Sequence, residues 1–322
     1  MKIENVALIG YGYWGKKIYK YLKESSQFHL AYVFFPSLKK LSPDMIAQTY
    51  GPEFTANIDD VWNDKGVSHV IIATPINTHV DVVTEALCHG KNILVEKPLA
   101  VIGHEAQSIV EQAKTRGLIL ETEYTYTYSQ GLQAAQNMIL QGMIGDVQSI
   151  SISLKQLGRF LPYDVYLLLG SHALSILDIF LPLENLTFSS DSFLVTEGVP
   201  TAAVIHYQSK QNSCRGTIEI NLHCPQKDRK VIIYGEKGTI IYAPDQKDVL
   251  TLTLYKRTRF SLDKEIIEKQ QTFQFDENNN LKNALENFYH VIQRNRPSNS
   301  ARAVSINTVL DILRPKGDSL SS

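Results

Sequence analysis

The sequence predicts an α/β protein in two parts: a mostly parallel sheet wrapped by helices, then a larger, mostly antiparallel open sheet with helices on one face. Three observations carry this. Up to about residue 120, strand-like apolar runs alternate with helical stretches, the pattern of successive βα units. A glycine-rich turn, Gly10-Tyr11-Gly12-Tyr13-Trp14-Gly15, falls between the first such run and the first helix. Beyond Glu121, segments such as SISISLK, AAVIHY, GTIEINLH, KVIIYG and GTIIYA are β-rich and separated by turn residues, which suits an antiparallel sheet. The expected division is residues 1–121 for the first domain and 122–322 for the second.

In order, residues 3–9 (IENVALI) form a short apolar strand, and Trp14, Ile18 and Leu22 recur at helical spacing after it. Leu30 to Phe35 is a second strand. Ser42-Pro43-Asp44 starts a short helix with a cap, a proline at its first position and an acid in its first turn, and Gly51 ends it. Val67 to Ala73 reads as a buried strand. Asn77-Thr78 opens a helix with Val80, Val83, Ala86 and Leu87 on one face. Asn92 to Val95 is a strand leading into Glu96-Lys97-Pro98, a helix runs from Gly103 to Arg116, and Leu118 to Leu120 begins the last strand of this half. Tyr124, Tyr126 and Tyr128 then alternate with polar residues, as on one face of a strand. A helix carries Leu132, Ala135 and Ile139. Leu281 to Arg294 forms a closing helix, and the tail from Pro315 frays.

At 322 residues the chain is long enough for two domains. With 43% hydrophobic and 20% charged residues, it is neither disordered, collagen-like nor a coiled coil. Lys plus Arg number 32 against 33 for Asp plus Glu. So balanced a charge offers no field of one sign to nucleic acid or an acidic membrane surface. Cys88, Cys214 and Cys224 are odd in number and lack CxxC spacing, which reads as free thiols in a reducing compartment. The N-terminus runs straight into a strand with no apolar leader, and no uncharged apolar run approaches the roughly 18–20 residues that cross a bilayer. These features lead us to expect a cytoplasmic protein without a membrane or nucleic-acid partner.

The glycine turn is the first functional signal. After a strand and before a helix, G-x-G-x-x-G is a dinucleotide fingerprint of the Rossmann fold. Gly10 permits the tight turn, Gly12 lets backbone approach a pyrophosphate, and Gly15 allows close helix–strand packing. The phosphates then meet the N–H groups and positive dipole end of the helix. At the end of the second strand, where an acid would bind the ribose 2′-hydroxyl of NAD, the chain has Phe34-Phe35-Pro36-Ser37, followed by Lys39 and Lys40. Without the acid a 2′-phosphate is not repelled, and Ser37 and Lys39 could hydrogen-bond it. The expected cofactor is NADP or NAD, with the turn favouring NADP.

With ATPINTHVDVV (residues 73–83) and VEKPLA (95–100) in the same order, the chain resembles the Gfo/Idh/MocA family of NAD(P)-dependent oxidoreductases. GDVQSI at the start of the second part, GSHALSILDIF (170–180) and GEKGTI (235–240) extend the likeness over nearly the whole chain. The resemblance implies a Rossmann domain followed by an α/β domain whose open sheet forms a homodimer or homotetramer. It implies that Thr74, Pro75, Asn77 and His79 line the cofactor cleft, that Glu96 and Lys97 sit beside the nicotinamide, and that the Lys97–Pro98 bond is cis. It also makes His172 the acid/base. The residues agree on Lys97: a lysine at the carboxyl end of a parallel strand lies where such sheets bind ligands. Partly desolvated there, it has a lowered pKa and can share a proton with a substrate oxygen.

At His172 the chain departs from the family pattern. The family's orienting aspartate four residues before is Leu168, and the one three residues after is Ser175. Asp164 could take that place only if its loop folds back. Tyr124, Tyr126, Arg159 and Asp164 are candidates for the substrate pocket. His223 and Cys224 are adjacent on a strand and point to opposite faces, so no metal site is expected. The expected activity is hydride transfer between nicotinamide and a secondary alcohol or ketone of a sugar or nucleotide-sugar, with Lys97 and His172 at the reacting oxygen. A cofactor-sensing regulator without turnover and an NAD-dependent glycosidase are the alternatives on the same fold.

Overall fold

A computed structural model describes residues 2–158, 162–245, 249–255, 267–275 and 279–314. By internal contacts the chain divides into two compact units. One runs through Tyr124 and takes in Leu281–Asn307; the other comprises Thr125–Asn280 and the chain from Thr308 onward.

The first unit alternates strand and helix: β1 (Glu4–Ile9), α1 (Tyr13–Glu24), β2 (Phe28–Phe34), α2 (Pro43–Thr49), β3 (Phe54–Thr55), α3 (Asp59–Asn63), β4 (His69–Ile72), α4 (His79–Cys88), β5 (Asn92–Glu96), α5 (Gly103–Thr115) and β6 (Leu120–Glu123). Every strand pair is parallel and the spatial order is β3-β2-β1-β4-β5-β6. The chain therefore crosses over between β1 and β4, and open α/β sheets bind ligands in the crevice outside the strand ends at such a point. Val6 to Ile9 and Val70 to Ile72 are buried on both faces, as a helix-covered parallel sheet requires. Ser42 caps α2 as predicted, its hydroxyl accepting from the Met45 N–H at 3.3 Å. Trp14 departs from the predicted stripe: it remains 40% exposed, while Ile18 and Leu22 go inside.

The second unit contains α6 (Gln130–Leu140), β7 (Val147–Leu157), α7 (Ser171–Phe180), β8 (Leu186–Thr196), β9 (Val199–Ser209), β10 (Arg215–Asn221), β11 (His223–Gly235), β12 (Gly238–Ala243), β13 (Val249–Tyr255) and β14 (Ile267–Gln274). They form one sheet ordered β14-β13-β12-β11-β7-β10-β9-β8. Its pairs are antiparallel except β7 with β10. Ile150, Ile152 and Leu154 on β7 and Ile218 and Ile220 on β10 turn inward with the buried residues of α7, such as Ala173 and Leu177.

Three features differ from the sequence expectation. The tyrosine alternation is not a strand: β6 stops at Glu123, and Thr125–Tyr128 makes a 3₁₀ turn. Tyr124 is fully buried, and the Ser129 hydroxyl accepts the Leu132 N–H to cap α6, so the chain must bend between them. α8 (Asn280–Ile292) returns to the first unit, where Phe288 stacks on Phe28 with centroids 6.2 Å apart and Leu285 joins the cluster around Val6 and Leu8. α9 (Ser300–Leu313) was not foreseen, because its apolar residues are not confined to one stripe.

β6, the edge strand of this sheet, carries an unusual load: Glu121, Thr122 and Glu123 are all buried. Glu121 accepts the Asn299 N–H at 3.2 Å through Oε2, while Oε1 has no hydrogen-bond partner among the described residues. Burial pushes its pKa up to about 8 against the opposing Asn299 bond and the Arg302 charge. The native state thus holds a proton over a range in which the unfolded chain has lost it. Stability falls as pH rises from the ordinary carboxyl value toward that figure, by at most about 1.4 kcal/mol per unit. Glu121→Gln is expected to flatten the dependence of the melting temperature on pH between 5 and 8, with the largest gain over wild type at pH 8. Parallel melting curves for the two proteins across that range check it.

Candidate functional site

The first half of the site is the turn between β1 and α1. Gly10 has φ +102°, and a Cβ there would lie 2.5 Å from the Ala73 carbonyl oxygen, so only glycine fits without strain. At Gly15 a Cβ would lie 2.2 Å from the Gly10 oxygen, which is how closely α1 presses on the turn. Gly12 is the opposite case: a Cβ there would meet no atom within 4 Å. α1 has no side-chain cap and no acid in its first turn, so its N-terminal N–H groups and dipole are not neutralised locally. An open cradle at such a helix N-terminus fits a dinucleotide pyrophosphate. Tyr11 packs into an aromatic cluster, edge-on to Phe54 at 4.8 Å and Phe35 at 5.8 Å. Tyr13 and Trp14 stay exposed, with the Lys17 ammonium 4.5 and 4.4 Å from their ring centroids. Ser37 and Lys39 are exposed on a 3₁₀ turn (Pro36–Lys40) just beyond β2, and that turn holds no acid.

The carboxyl ends of β4 and β5 adjoin this turn in the sheet order. A Cβ at Gly10 would lie 3.2 Å from the Thr74 methyl group, and Pro75 and Asn77 are exposed just beyond. His79 is the exception among these residues. It is buried, with Nδ1 2.9 Å from the Pro98 carbonyl and Nε2 3.1 Å from that of Thr74. Both partners are acceptors, so a neutral ring donates to only one of them at a time; burial holds the ring's pKa below the ordinary value. His79 therefore ties the two loops together instead of presenting itself to a ligand, a correction to its expected place lining the cleft.

The Lys97–Pro98 peptide is cis. Lys97 is half-buried at the end of β5. Burial lowers its pKa, opposed by the charges of Glu96 and Glu123. Those two carboxyls are register partners on β5 and β6, and both are buried. Burial, and then the Glu123 charge, raise the pKa of Glu96. The result is a lysine of increased acidity beside a carboxyl, Glu96, that holds its proton more tightly than usual, a setting suited to proton exchange with a bound oxygen.

The second unit carries His172, half-buried on the first turn of α7 after a π-helical turn, Tyr166–Gly170. The Tyr126 ring meets the imidazole edge to face, with centroids 5.1 Å apart at 88°. The Tyr126 hydroxyl accepts a hydrogen bond from Arg229 Nη1 at 3.3 Å. Sequence reasoning missed Arg229, which lies 103 positions away in a charged run of β11 that reads as solvated surface. Asp164 does not fold back to His172. Its Oδ2 accepts from Arg314 Nε at 2.7 Å and its Oδ1 from the Leu167 N–H at 2.9 Å, so it anchors the π-helical turn. Tyr124 is too deeply buried to touch substrate, and Arg159 lies outside the described residues. His223 is bonded to the Thr201 hydroxyl at 2.7 Å and the Cys224 thiol to the Gln226 carbonyl. Among the described residues no three His, Cys, Asp or Glu are grouped to hold a metal, and no helix is long and apolar enough to cross a membrane.

Residues 4–124 match the model of the oxidoreductase family with an NAD-binding Rossmann fold. Over this segment the chain is similar to the Gfo/Idh/MocA family. An uncharacterised oxidoreductase of Streptococcus pneumoniae is 28% identical over 140 residues, 44% of this chain and 37% of that one. The dTDP-3,4-didehydro-2,6-dideoxy-alpha-D-glucose 3-reductase of Streptomyces violaceoruber is 30% identical over 107 residues, 33% of this chain and 31% of its own. These curated relatives are thus matched over well under half their length. The solved UDP-N-acetylglucosamine 3-dehydrogenase of Acidithiobacillus ferrooxidans superposes with a TM-score of 0.83 at 17% identity, covering 98% of this chain and 97% of that one. The fold seen in both units is therefore shared with that solved structure.

The two glycines separate binding from folding. In Gly12→Val the new side chain enters open space, so the melting temperature should stay near wild type while NAD(P)H binding is lost. Gly10→Val forces a positive φ and a backbone clash, so it should lower the melting temperature or prevent folding. Melting curves and cofactor fluorescence titrations on both variants check this, and unchanged cofactor affinity in Gly12→Val would remove the cradle from the site.

Proposed function

We propose that this protein is an NAD(P)-dependent oxidoreductase acting on a secondary alcohol or ketone of a sugar or nucleotide-sugar. The observation that carries the reading is the open glycine cradle at the β1–β4 crossing, with Lys97 and its buried carboxyl neighbours at the end of β5. The sugar class is supported by the reductase and the dehydrogenase described above, which act on dTDP- and UDP-linked sugars. The bound nicotinamide supplies or accepts the hydride. Lys97 is the group that donates a hydrogen bond to the substrate oxygen and stabilises charge developing on it. His172 is the group that takes up or returns the hydroxyl proton, worth roughly 10²–10⁴ in rate when well placed. Ser37 and Lys39 are the groups for a 2′-phosphate, and the exposed sheet of the second unit is the surface for a homo-oligomer.

The test is turnover of a panel of inositols, anhydrosugars and UDP- and dTDP-hexoses with NAD⁺ or NADP⁺, followed by absorbance of the reduced nicotinamide. Stoichiometric reduction of cofactor with one of these supports the reading. Sugar cleavage with no net redox change points to the glycosidase reaction, and binding without turnover across the panel to a sensor. Lys97→Ala and His172→Ala are each expected to keep cofactor affinity while kcat falls at least about a hundredfold. Wild-type kcat in either variant removes that residue from the mechanism.

The cofactor preference gives a further expectation. Two charge-assisted hydrogen bonds to a 2′-phosphate, at roughly 1.5–3 kcal/mol each, favour NADPH by tenfold or more. Titration of both reduced cofactors at low and high salt reads this directly, and tighter NADH binding at both overturns it.

A further inference from the structure

We propose that Asp245, Arg229 and Tyr126 form a positioning chain for His172, doing the work of the carboxylate that this sequence lacks at position 168. The inference rests on the role proposed for His172 above. All four groups belong to the second unit, although they come from the turn after β12, from β11, from the 3₁₀ turn after β6 and from α7.

The chain is built from the outside in. Asp245 holds Arg229 at three points: its oxygens accept from Nε at 3.0 Å, from Nη2, and from the backbone N–H of Arg229 at 2.8 Å. A planar guanidinium gripped this way has little rotational freedom left. Arg229 has only donors, so in its 3.3 Å bond to Tyr126 the phenol oxygen must accept. The guanidinium carbon also lies 6.0 Å from the Tyr126 ring centroid. The phenol is thereby fixed at its hydroxyl end, and its ring meets His172 at 5.1 Å and 88°. Edge-to-face contacts of this kind are directional, so an imbedded Tyr126 limits how far the imidazole can turn.

The other candidate anchors are otherwise accounted for: Leu168 in the π-helical turn is apolar, the Ser175 hydroxyl donates to the His172 backbone carbonyl at 2.7 Å, and Asp164 is committed to Arg314. The outer pair stays ionised through the neutral range. Burial disfavours the charge on Asp245, but its bonds to Arg229 outweigh this and keep it below the usual carboxyl value. Burial likewise works against Arg229, and Asp245 and Tyr126 together hold it above its ordinary value. The exposed fractions of the two side chains, 25% and 18%, leave the pair accessible to substitution without opening a core.

The test uses the full chain labelled at histidine, with the His172 ring signals assigned by their loss in His172→Gln. Tyr126→Leu should displace those signals. Arg229→Met and Asp245→Asn, which leave the Tyr126 ring in place, should move them in the same direction. The double variant Arg229→Met/Tyr126→Leu should match Tyr126→Leu alone, since links in series are not additive. On a substrate identified from the panel, kcat should fall by about 10–100-fold with KM for substrate and cofactor changed by less than about threefold. His172 signals that keep their wild-type positions in both Arg229→Met and Asp245→Asn overturn the chain, as does unchanged kcat in both. Wild-type turnover in His172→Ala instead refutes the role of His172, and the ring signals still report whether the chain holds it. Should Arg229→Met fail to fold, Asp245→Asn, in a partly exposed turn, decides alone.

Discussion

The first unit depends on how closely three stretches of backbone approach one another at the end of β1. A methyl group at Gly15 would collide with the Gly10 oxygen, and one at Gly10 with the Ala73 oxygen. Those contacts hold α1, β1 and the loop after β4 together where the strand order reverses. The same proximity leaves the face at Gly12 empty of protein atoms. The open cradle at Gly12 is therefore not an addition to the fold but what remains when helix and strands are packed this tightly.

Around that point, charge is buried in two different ways. In the first unit Glu96, Glu121 and Glu123 lie inside on neighbouring strands, with Lys97 at their edge. Removing carboxylates from water favours their protonated forms and favours the neutral form of the lysine, which brings acid and base strengths closer together. In the second unit Arg229 and Asp245 are only partly shielded and satisfy each other in a fork. The first arrangement makes protons easy to exchange. The second makes a side chain hard to move, which is the property a positioning pair needs.

The π-helical turn before α7 belongs with the second arrangement. Such turns are rare and often sit at functional sites. Here Asp164 caps its start through the Leu167 N–H and is itself held by Arg314. Ser171 closes its end by donating to the Leu167 carbonyl at 2.7 Å. The residue that follows is His172, so its backbone is anchored locally while its ring is steered by Tyr126 from another segment.

The parallel half of the fold was legible because its signals are local. Apolar runs, Ser42 and Pro43 at a helix start and the glycines of the first turn act within a few residues of themselves, and so Gly10, Gly12 and Gly15 could be named from their spacing. Strand alternation misled at Tyr124, Tyr126 and Tyr128, because a period of two does not reveal that the first ring goes into the core while the chain bends at Ser129. The closing helix at 281–294 could be drawn, but not its destination, since an apolar stripe fits any sheet face of the right width. The sequence by itself determined the β1 turn and the strand runs. Tertiary structure alone decided that His79 is consumed between two carbonyls, that Asp164 belongs to Arg314, and that Arg229 meets Tyr126. The physical reason is that a hydrogen bond between residues far apart in the chain depends on where the packed elements place them, and no local pattern records that distance.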